Sequence, residues 1–171
     1  IAEALHALGR NDEALMEYQR ALTLDPDLVF TLAQLCVSYA ERGSVEDAKK
    51  ILSDRLIAVD GEGNYSTRCQ AAIAGRAPDP NKALRALAQK AERANQAGKV
   101  SESLVGLIYA QAGDFAVALE WFRRATAVHD SRFFQITIGN VLPAALIADP
   151  RWKALLNDAA LQEWKQTRSM I

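Results

Sequence analysis

The sequence predicts an all-α protein built from a repeated pair of helices, and three observations point to this class. A motif of a glycine followed by small and large apolar residues begins at Gly9, again at Gly43 and again at Gly113. The first interval is 34 residues, a length that suits one helix–turn–helix unit. Half of the residues are hydrophobic, and many of these are alanine, the strongest helix former, while β-branched runs are short.

The charge balance and the hydropathy argue against two classes of partner. The chain has 20 Lys and Arg against 21 Asp and Glu, so it lacks the basic excess of a nucleic-acid-binding surface. No apolar run approaches the roughly 18 residues needed to span a bilayer. We therefore expect no nucleic acid and no membrane partner for this segment. The chain begins at Ile1, in the middle of the repeated pattern, and we expect it to be a fragment of a longer protein.

Residues 1–26 are predicted to form a partial first repeat. Residues 1–8 should be the end of a helix that Gly9 terminates in a left-handed conformation. Asn11 is predicted to cap the next helix, and Asp25-Pro26 to end it. The side chains of this helix that should face the core recur at steps of three and four: Ala14, Leu15, Tyr18, Ala21 and Leu22.

Residues 27–60 are predicted as a regular second repeat and residues 61–97 as a degenerate third one. Gly113 follows Gly43 by 70 residues, which is two more than two periods. We place the extra residues near Pro80, which can open a helix that the preceding aspartate caps. The third repeat should then have helices at about 65–75 and 79–97. The core positions expected in the second repeat are Leu32, Leu35, Cys36, Tyr39, Ala48, Ile51, Leu52 and Leu56.

Residues 98–130 are predicted as a regular fourth repeat and residues 131–171 as C-terminal capping helices. Ser101 should cap the first helix of the fourth repeat, and Gly106 should allow a close helix contact. Because the open end of a repeat stack exposes apolar surface, we expect the tail to cover it. The expected core residues are Leu104, Val105, Ile108, Tyr109, Ala118, Trp121, Phe122 and Ala125, then Trp152, Leu155 and Leu156, and then Leu161 and Trp164 on a last helix over 159–167.

The in-register copies of glycine, small residue and large apolar residue resemble tetratricopeptide repeats over residues 1–130. This resemblance implies antiparallel helix pairs that stack into a right-handed superhelix. It also implies a concave face, lined mainly by the first helix of each pair, that binds peptides or protein segments.

A second resemblance rests on three segments: YAQAGD at 109–114, ALEWFRRA at 118–125 and DPRW at 149–152. They are similar to the C-terminal repeat region of many bacterial adenylate or guanylate cyclases and winged-helix transcriptional regulators. Those proteins usually have phenylalanine where Trp152 stands, and Leu-Gly-Leu where residues 159–161 read Ala-Ala-Leu. The resemblance implies a bacterial signalling protein and does not say which domain lies upstream.

The sequence contains none of the common catalytic or metal motifs. A phosphate loop, a paired-cysteine motif, a nucleophile elbow and an HExxH pattern are all missing. His6 and His129 stand alone. Cys36 and Cys69 lack metal-site spacing, and we expect them to be two buried free thiols in a reducing compartment. We accordingly expect no catalytic residue, no metal and no cofactor in this segment, and a cytoplasmic location.

The candidate binding residues are those that the family geometry turns toward the concave groove. They are Phe30, Ala33, Val37, Glu41, Ser103, Leu107 and Gln111. Members of the family that bind chaperone tails carry a Lys, Asn and Arg clamp at such places, and here Ala33 and Val37 replace it. We therefore expect a mostly small and apolar groove that suits an apolar peptide or helix, with some of these residues packed against neighbouring repeats.

Three hypotheses about function follow. The main one is a non-catalytic scaffold that binds a protein segment in its groove and regulates or localises an attached bacterial signalling domain. The second is a homo-oligomerisation module that pairs through the first repeat and the tail aromatics Trp152 and Trp164. The third is the C-terminal region of a nucleotide cyclase whose catalytic domain lies outside this chain.

Overall fold

The computed structural model describes residues 1–138 and 141–158, and the regular secondary structure of these residues is entirely helical. The prediction of an all-α fold is confirmed. The α-helices are α1 (Ala2–Ala7), α2 (Asn11–Leu24), α3 (Val29–Glu41), α4 (Val45–Ile51), α5 (Ile57–Asp60), α6 (Asn64–Ala74), α7 (Pro80–Gln96), α8 (Glu102–Gln111), α9 (Phe115–Ala127), α10 (Arg132–Ile138), α11 (Ala144–Ala148) and α12 (Pro150–Leu156). A π-helical turn over Leu52–Leu56, which the sequence pattern did not predict, joins α4 to α5.

The chain divides into two compact units, which we call unit 1 (residues 1–80) and unit 2 (residues 81–171). The division falls within residues 61–97, the segment predicted as the degenerate third repeat, so its two helices α6 and α7 belong to different units. The helix positions themselves agree with the prediction, because α6 ends at Ala74 and α7 begins at Pro80.

Unit 1 is built around α3, which packs against α2, α4 and α6. Nine of the 13 residues of α3 are buried, because these neighbouring helices cover it. The predicted core positions Leu32, Leu35 and Cys36 are buried, as are Ala14 and Tyr18 of α2. The helical spacing therefore predicted the faces of α2 and α3 that meet.

Glycines in the left-handed conformation follow α3 and α8, the first helices of two of the pairs. Gly43 has φ +83° and Gly113 has φ +84°. After α3, the N–H of Gly43 donates to the carbonyl of Ala40, and the N–H of Ser44 donates to the carbonyl of Tyr39 at 2.9 Å. This pair of bonds is the Schellman motif, which satisfies the last carbonyls of a helix.

The predicted helix caps are confirmed in one case and wrong in another. The Ser101 side chain accepts a hydrogen bond from the N–H of Leu104 at 3.4 Å, as expected for the residue that precedes α8. Asn11 was predicted to precede α2, but it is the first residue of that helix, and the cap position is held by Arg10 without a side-chain bond. The Arg10 carbonyl accepts the first bond of the helix, from the N–H of Ala14 at 3.0 Å.

Unit 2 is centred on three aromatic rings. The ring of Phe122 lies 5.8 Å from that of Phe133 and 5.3 Å from that of Trp152, measured between centroids. Gly106 of α8 faces Phe122, and a Cβ at Gly106 would come within 2.8 Å of the ring. The predicted burial of Trp152 and Leu155 is confirmed. The helix predicted over 159–167, with Leu161 and Trp164, lies outside the described residues.

The prediction of two free thiols is wrong, because Cys36 and Cys69 form a disulfide. Their Cα atoms are 5.7 Å apart, within the range that a disulfide requires. Cys36 lies on α3 and Cys69 on α6, and these two helices pack directly against each other. The separation of 33 residues is one less than the repeat length, which places the two side chains on facing sides of adjacent first helices.

Candidate functional site

Four of the seven predicted groove residues are buried in helix contacts. Ala33 and Val37 lie in the core of unit 1, and Ser103 and Leu107 lie in the core of unit 2. The cause is that α3 and α8 are covered by neighbouring helices: α8 packs against both α9 and α10. The exposed residues of the set are Phe30, Glu41 and Gln111. The surface that a partner can reach is therefore aromatic and polar, and the small apolar side chains serve the core.

Side chains of α1, α3 and α6 form a surface of unit 1, which we call the α1–α3–α6 face. Its exposed members are Glu3, Phe30, Glu41 and Arg76, its half-buried members are His6, Tyr65 and Arg68, and Gln34 is buried. Phe30, Gln34 and Glu41 recur at steps of four and seven on α3, so they share one side of that helix. On α1 the face comprises Glu3 and His6, and along α6 it comprises Tyr65, Arg68 and, just beyond the helix end, Arg76.

A hydrogen-bond network joins three helices in the middle of this face. The Glu3 carboxylate accepts a bond from the Tyr18 hydroxyl at 2.9 Å and another from the Gln34 amide. Glu3 is exposed, whereas Tyr18 and Gln34 are buried, so the two donors hold an outward-facing carboxylate in place. The sequence reasoning used Tyr18 only as a core residue and missed this network. Glu3 and Gln34 are 31 residues apart, about one helical turn less than the 34-residue repeat. This spacing in the sequence was the signal that the two side chains could meet.

Burial raises the pKa of the Tyr18 hydroxyl well above its usual range, and the hydrogen bond to Glu3 raises it further. The positive charge of the Arg68 guanidinium lowers the pKa of Tyr18, so this cation lies near the same hydroxyl. The network therefore combines a fixed anion and a nearby cation on neighbouring helices.

The two ends of the α1–α3–α6 face are also tied across helices. At one end the rings of Phe30 and Tyr65 meet edge to face, with centroids 6.4 Å apart. At the other end His6 Nε2 lies 4.0 Å from a Glu41 carboxylate oxygen, and the Arg76 guanidinium donates to the Glu41 carbonyl at 2.9 Å. The face thus offers an aromatic pair at one end and charged groups along the rest.

A second carboxylate network lies in unit 2. Glu92 of α7 accepts bonds from the Tyr109 hydroxyl at 3.0 Å and from the Trp121 indole N–H at 3.3 Å. The Arg124 guanidinium lies over the Trp121 ring, 4.7 Å from its centroid. Burial, followed by the bond to Glu92, raises the pKa of Tyr109 to about 12. The network connects α7, α8 and α9.

The shift at Tyr109 predicts that unit 2 loses stability in strong base. The unfolded tyrosine ionises near pH 10, while the folded one holds its proton until about pH 12. Below pH 10 this contribution is complete, and it is lost as the pH rises from 10 to 12, because the unfolded chain releases the proton first. Urea unfolding at pH 9 and pH 11, followed by tryptophan fluorescence, measures the loss.

Tyr109→Phe is the matched variant for this measurement. It should be less stable than the wild type at pH 9 and lose less on going to pH 11. Lysine deprotonation affects both proteins equally and cancels in the difference. An equal loss in the two proteins would contradict the role given to the Tyr109 hydroxyl.

Within residues 1–138 and 141–158, no group of His, Cys, Asp or Glu side chains is arranged to hold a metal ion. The carboxylates of the repeat-end turns act as helix caps instead. Asp60 accepts the N–H of Ser66 at 2.7 Å, and Asp130 accepts the N–H groups of Ser103 and Arg132, each at 3.0 Å. Over the same part of the chain, no helix has the length and apolar character needed to cross a membrane.

Comparison with known proteins gives one match. The family described as Tetratricopeptide repeat matches residues 1–28, which contain α1, α2 and the turn after them. No match was found among curated proteins or among solved structures. The repeat predicted from Gly9 and the residues around it is thereby confirmed in that segment.

Proposed function

We propose that this tetratricopeptide-repeat protein is a scaffold that binds a peptide or helical segment of another protein on the α1–α3–α6 face. Repeat arrays of this class typically present such extended surfaces to partners. The observation that carries the proposal is the Glu3 network, in which two buried donors hold an exposed carboxylate between helices. A preorganised polar group of this kind reduces the entropy that a binding surface loses on association.

The composition of the face indicates the chemistry of the bound segment. Phe30 and Tyr65 suit an apolar or aromatic side chain, and Glu3 and Arg68 suit polar groups of either charge. Because the small apolar groove residues are buried, the segment we propose is amphipathic, in place of the purely apolar one expected from the sequence.

We expect the double variant Phe30→Ala, Arg68→Ala to weaken binding of a cognate peptide by at least about tenfold, which is about 1.4 kcal/mol. The probe is a 12-residue peptide selected from a random displayed library on the wild-type protein, and its affinity is measured by fluorescence anisotropy. Val37 and Leu107 are unsuitable for this test, because a charge introduced at these buried positions would unfold the chain.

Met16→Ala provides the control for this peptide-binding experiment. Met16 is an exposed apolar residue on α2, outside the α1–α3–α6 face, so its removal should leave the peptide affinity unchanged. If circular dichroism shows both proteins to be folded and the wild type and the Phe30, Arg68 double variant bind the peptide with equal affinity, the α1–α3–α6 face is not the binding surface.

We further propose that the scaffold regulates or localises a bacterial signalling domain of a longer protein. The support is the resemblance of residues 109–125 and 149–152 to the repeat region that accompanies nucleotide cyclases and winged-helix regulators. A second candidate is that the chain is the C-terminal region of a cyclase itself. The nucleotide sequence upstream of Ile1 tests these proposals, because it shows whether a cyclase domain, a DNA-binding domain or neither is encoded there.

The cytoplasmic location remains a proposal, and the Cys36–Cys69 disulfide removes one of its supports. Persistent disulfides are typical of oxidising compartments. Alkylation of intact cells followed by mass spectrometry would report the state of the two sulfurs where the protein acts. Trp152 is buried against Phe122 and Phe133, so the homo-oligomerisation hypothesis keeps the first repeat and Trp164, which lies outside the described residues.

A further inference from the structure

The Glu3 network leaves one oxygen of its carboxylate without a bond. The Tyr18 hydroxyl and the Gln34 amide both donate to Oε1 of Glu3. Among residues 1–138 and 141–158, no group donates to the other oxygen, Oε2. Because Glu3 is exposed and two donors hold its carboxylate in place, Oε2 is a preorganised acceptor on the α1–α3–α6 face.

Two contacts fix the register of α3 against α6. The ring centroids of Phe30 and Tyr65 lie 6.4 Å apart, and the disulfide joins Cys36 to Cys69. Each contact joins residues that are one 34-residue repeat apart, to within one residue. Between these two contacts, a residue of α3 therefore lies opposite the residue of α6 that follows it by about one repeat.

This register places Arg68 of α6 opposite Gln34 of α3 and therefore next to the Glu3 network. The effect of the Arg68 charge on the Tyr18 hydroxyl agrees with this placement. Arg68 is half-buried, and in the part of the chain that the structure describes its guanidinium forms no hydrogen bond and no ion pair. An acceptor and a cation that are both available to a partner therefore lie near the same hydroxyl.

A partner group that contacts Glu3 and Arg68 together has to be neutral and has to contain both a donor and an acceptor. A cation attracted by Glu3 is repelled by Arg68, and an anion attracted by Arg68 is repelled by Glu3. The primary carboxamide of an Asn or Gln side chain meets this requirement, because its carbonyl and NH₂ groups share one carbon and point to the same side. The N–H and carbonyl of a trans backbone peptide point in opposite directions.

We propose that the α1–α3–α6 face binds an Asn or Gln side chain of the partner segment between Glu3 and Arg68. The NH₂ group donates to Glu3 Oε2, and the carbonyl oxygen accepts from the Arg68 guanidinium. Phe30, which holds the aromatic end of the face, precedes Gln34 by about 6 Å along α3. A segment covers this distance with two extended or four helical residues, so an apolar residue of the segment can bind there at the same time. Binding of the carboxamide rests on the peptide-binding function proposed above, and it adds the side chain that the face selects.

Glu3→Gln is the variant that separates this contact from the rest of the face. The new side-chain carbonyl can accept from Tyr18 and Gln34 as Oε1 does, while an NH₂ group takes the place of Oε2. The acceptor offered to the partner thus becomes a donor, and a peptide carboxylate should fit between this donor and Arg68. Glu46→Gln makes the same change at an exposed residue of α4 and is the control.

The probes are 12-residue peptides selected on the wild type from a random displayed library, and fluorescence anisotropy gives their affinities. Each peptide should contain an Asn or Gln whose replacement by Asp or Glu weakens binding to the wild type at least ~10-fold. The Glu46→Gln control should show the same loss. On Glu3→Gln the order should reverse, so that the Asp or Glu form of the peptide binds more tightly than the Asn or Gln form.

Arg68→Met tests the other half of the bridge. The variant removes the donor to the bound carbonyl, so it should weaken binding of the selected peptide at least ~10-fold. Replacing the peptide carboxamide by Leu should then cost less affinity on Arg68→Met than on the wild type, which a double-mutant cycle detects as coupling. If Glu3→Gln does not fold by circular dichroism, this cycle alone decides.

Three outcomes overturn the carboxamide site and leave peptide binding in place. They are peptides that need the α1–α3–α6 face but no Asn or Gln, peptides in which a Lys or Arg responds to Glu3→Gln instead, and a carboxamide that shows no coupling to Arg68. Peptides that bind the wild type and the Phe30→Ala, Arg68→Ala double variant equally contradict the binding face itself, as does a library that yields no peptide.

Discussion

Reducing the Cys36–Cys69 disulfide is expected to lower the free energy of unfolding of unit 1 by about 4 kcal/mol. The bond joins residues 33 apart, and a crosslink that closes a loop of this length restricts the unfolded chain by about that amount. Both sulfurs are buried between α3 and α6, so the bond also fixes the contact of the two helices that carry most of the α1–α3–α6 face.

The measurement is urea unfolding with and without a phosphine reductant, followed by circular dichroism at 222 nm. Unit 2 provides an internal control, because it contains no cysteine and all three tryptophans of the chain. Reduction should therefore leave the urea midpoint of the fluorescence transition unchanged and shift the circular dichroism transition to lower urea concentration. Two thiols titrated in the unreduced, unfolded protein would show that the bond is not formed.

Replacing Phe122 with alanine is expected to destabilise unit 2 by about 3–5 kcal/mol, the cost typical of removing a buried phenylalanine. Phe122 is fully buried, and its ring contacts those of Phe133 and Trp152. Tryptophan fluorescence during urea unfolding measures the effect. Val117→Ala on the same helix α9 is the control, since Val117 is 42% exposed and its truncation should change stability by less than about 0.5 kcal/mol.

Gly106 provides an independent check of the same packing. Gly106→Ala should cost about 1–3 kcal/mol, because the new methyl group would lie 2.8 Å from the Phe122 ring, which is buried against Phe133 and Trp152. In the Phe122→Leu background the same substitution should cost much less, which a double-mutant cycle would detect as coupling. Additive effects of the two changes would contradict the close approach of α8 to Phe122.

The helices and their core faces could be predicted from the sequence because both depend on local spacing. Steps of three and four identified Tyr18 and Phe122 as core residues, and the glycine and proline positions located the ends of α3 and the start of α7. The confirmed repeat over residues 1–28 rests on the same kind of pattern. Periodicity of this type needs no knowledge of which helices are neighbours.

The exposed surface could not be predicted in the same way, because exposure depends on how many neighbours each helix has. Ala33 and Val37 hold register positions that face the groove in the family, but here the helices around α3 bury them. The Cys36–Cys69 bond and the Glu3–Gln34 contact likewise join adjacent repeats. Both pairs lie before the irregular spacing near Pro80, so their separations of 31 and 33 residues could be read from the sequence. The sequence did not show which side chains of adjacent first helices point toward each other.

The disulfide has a mechanical consequence. It bypasses the chain between Cys36 and Cys69, including α4, the π-helical turn and α5, so a pulling force applied at the two ends of the chain does not load these elements. When unit 1 is unfolded by force, the oxidised chain should lengthen by roughly 110–120 Å less than the reduced chain, because 33 residues stay enclosed by the disulfide. A protease cut after Lys50 would likewise leave the two pieces joined until a reductant is added.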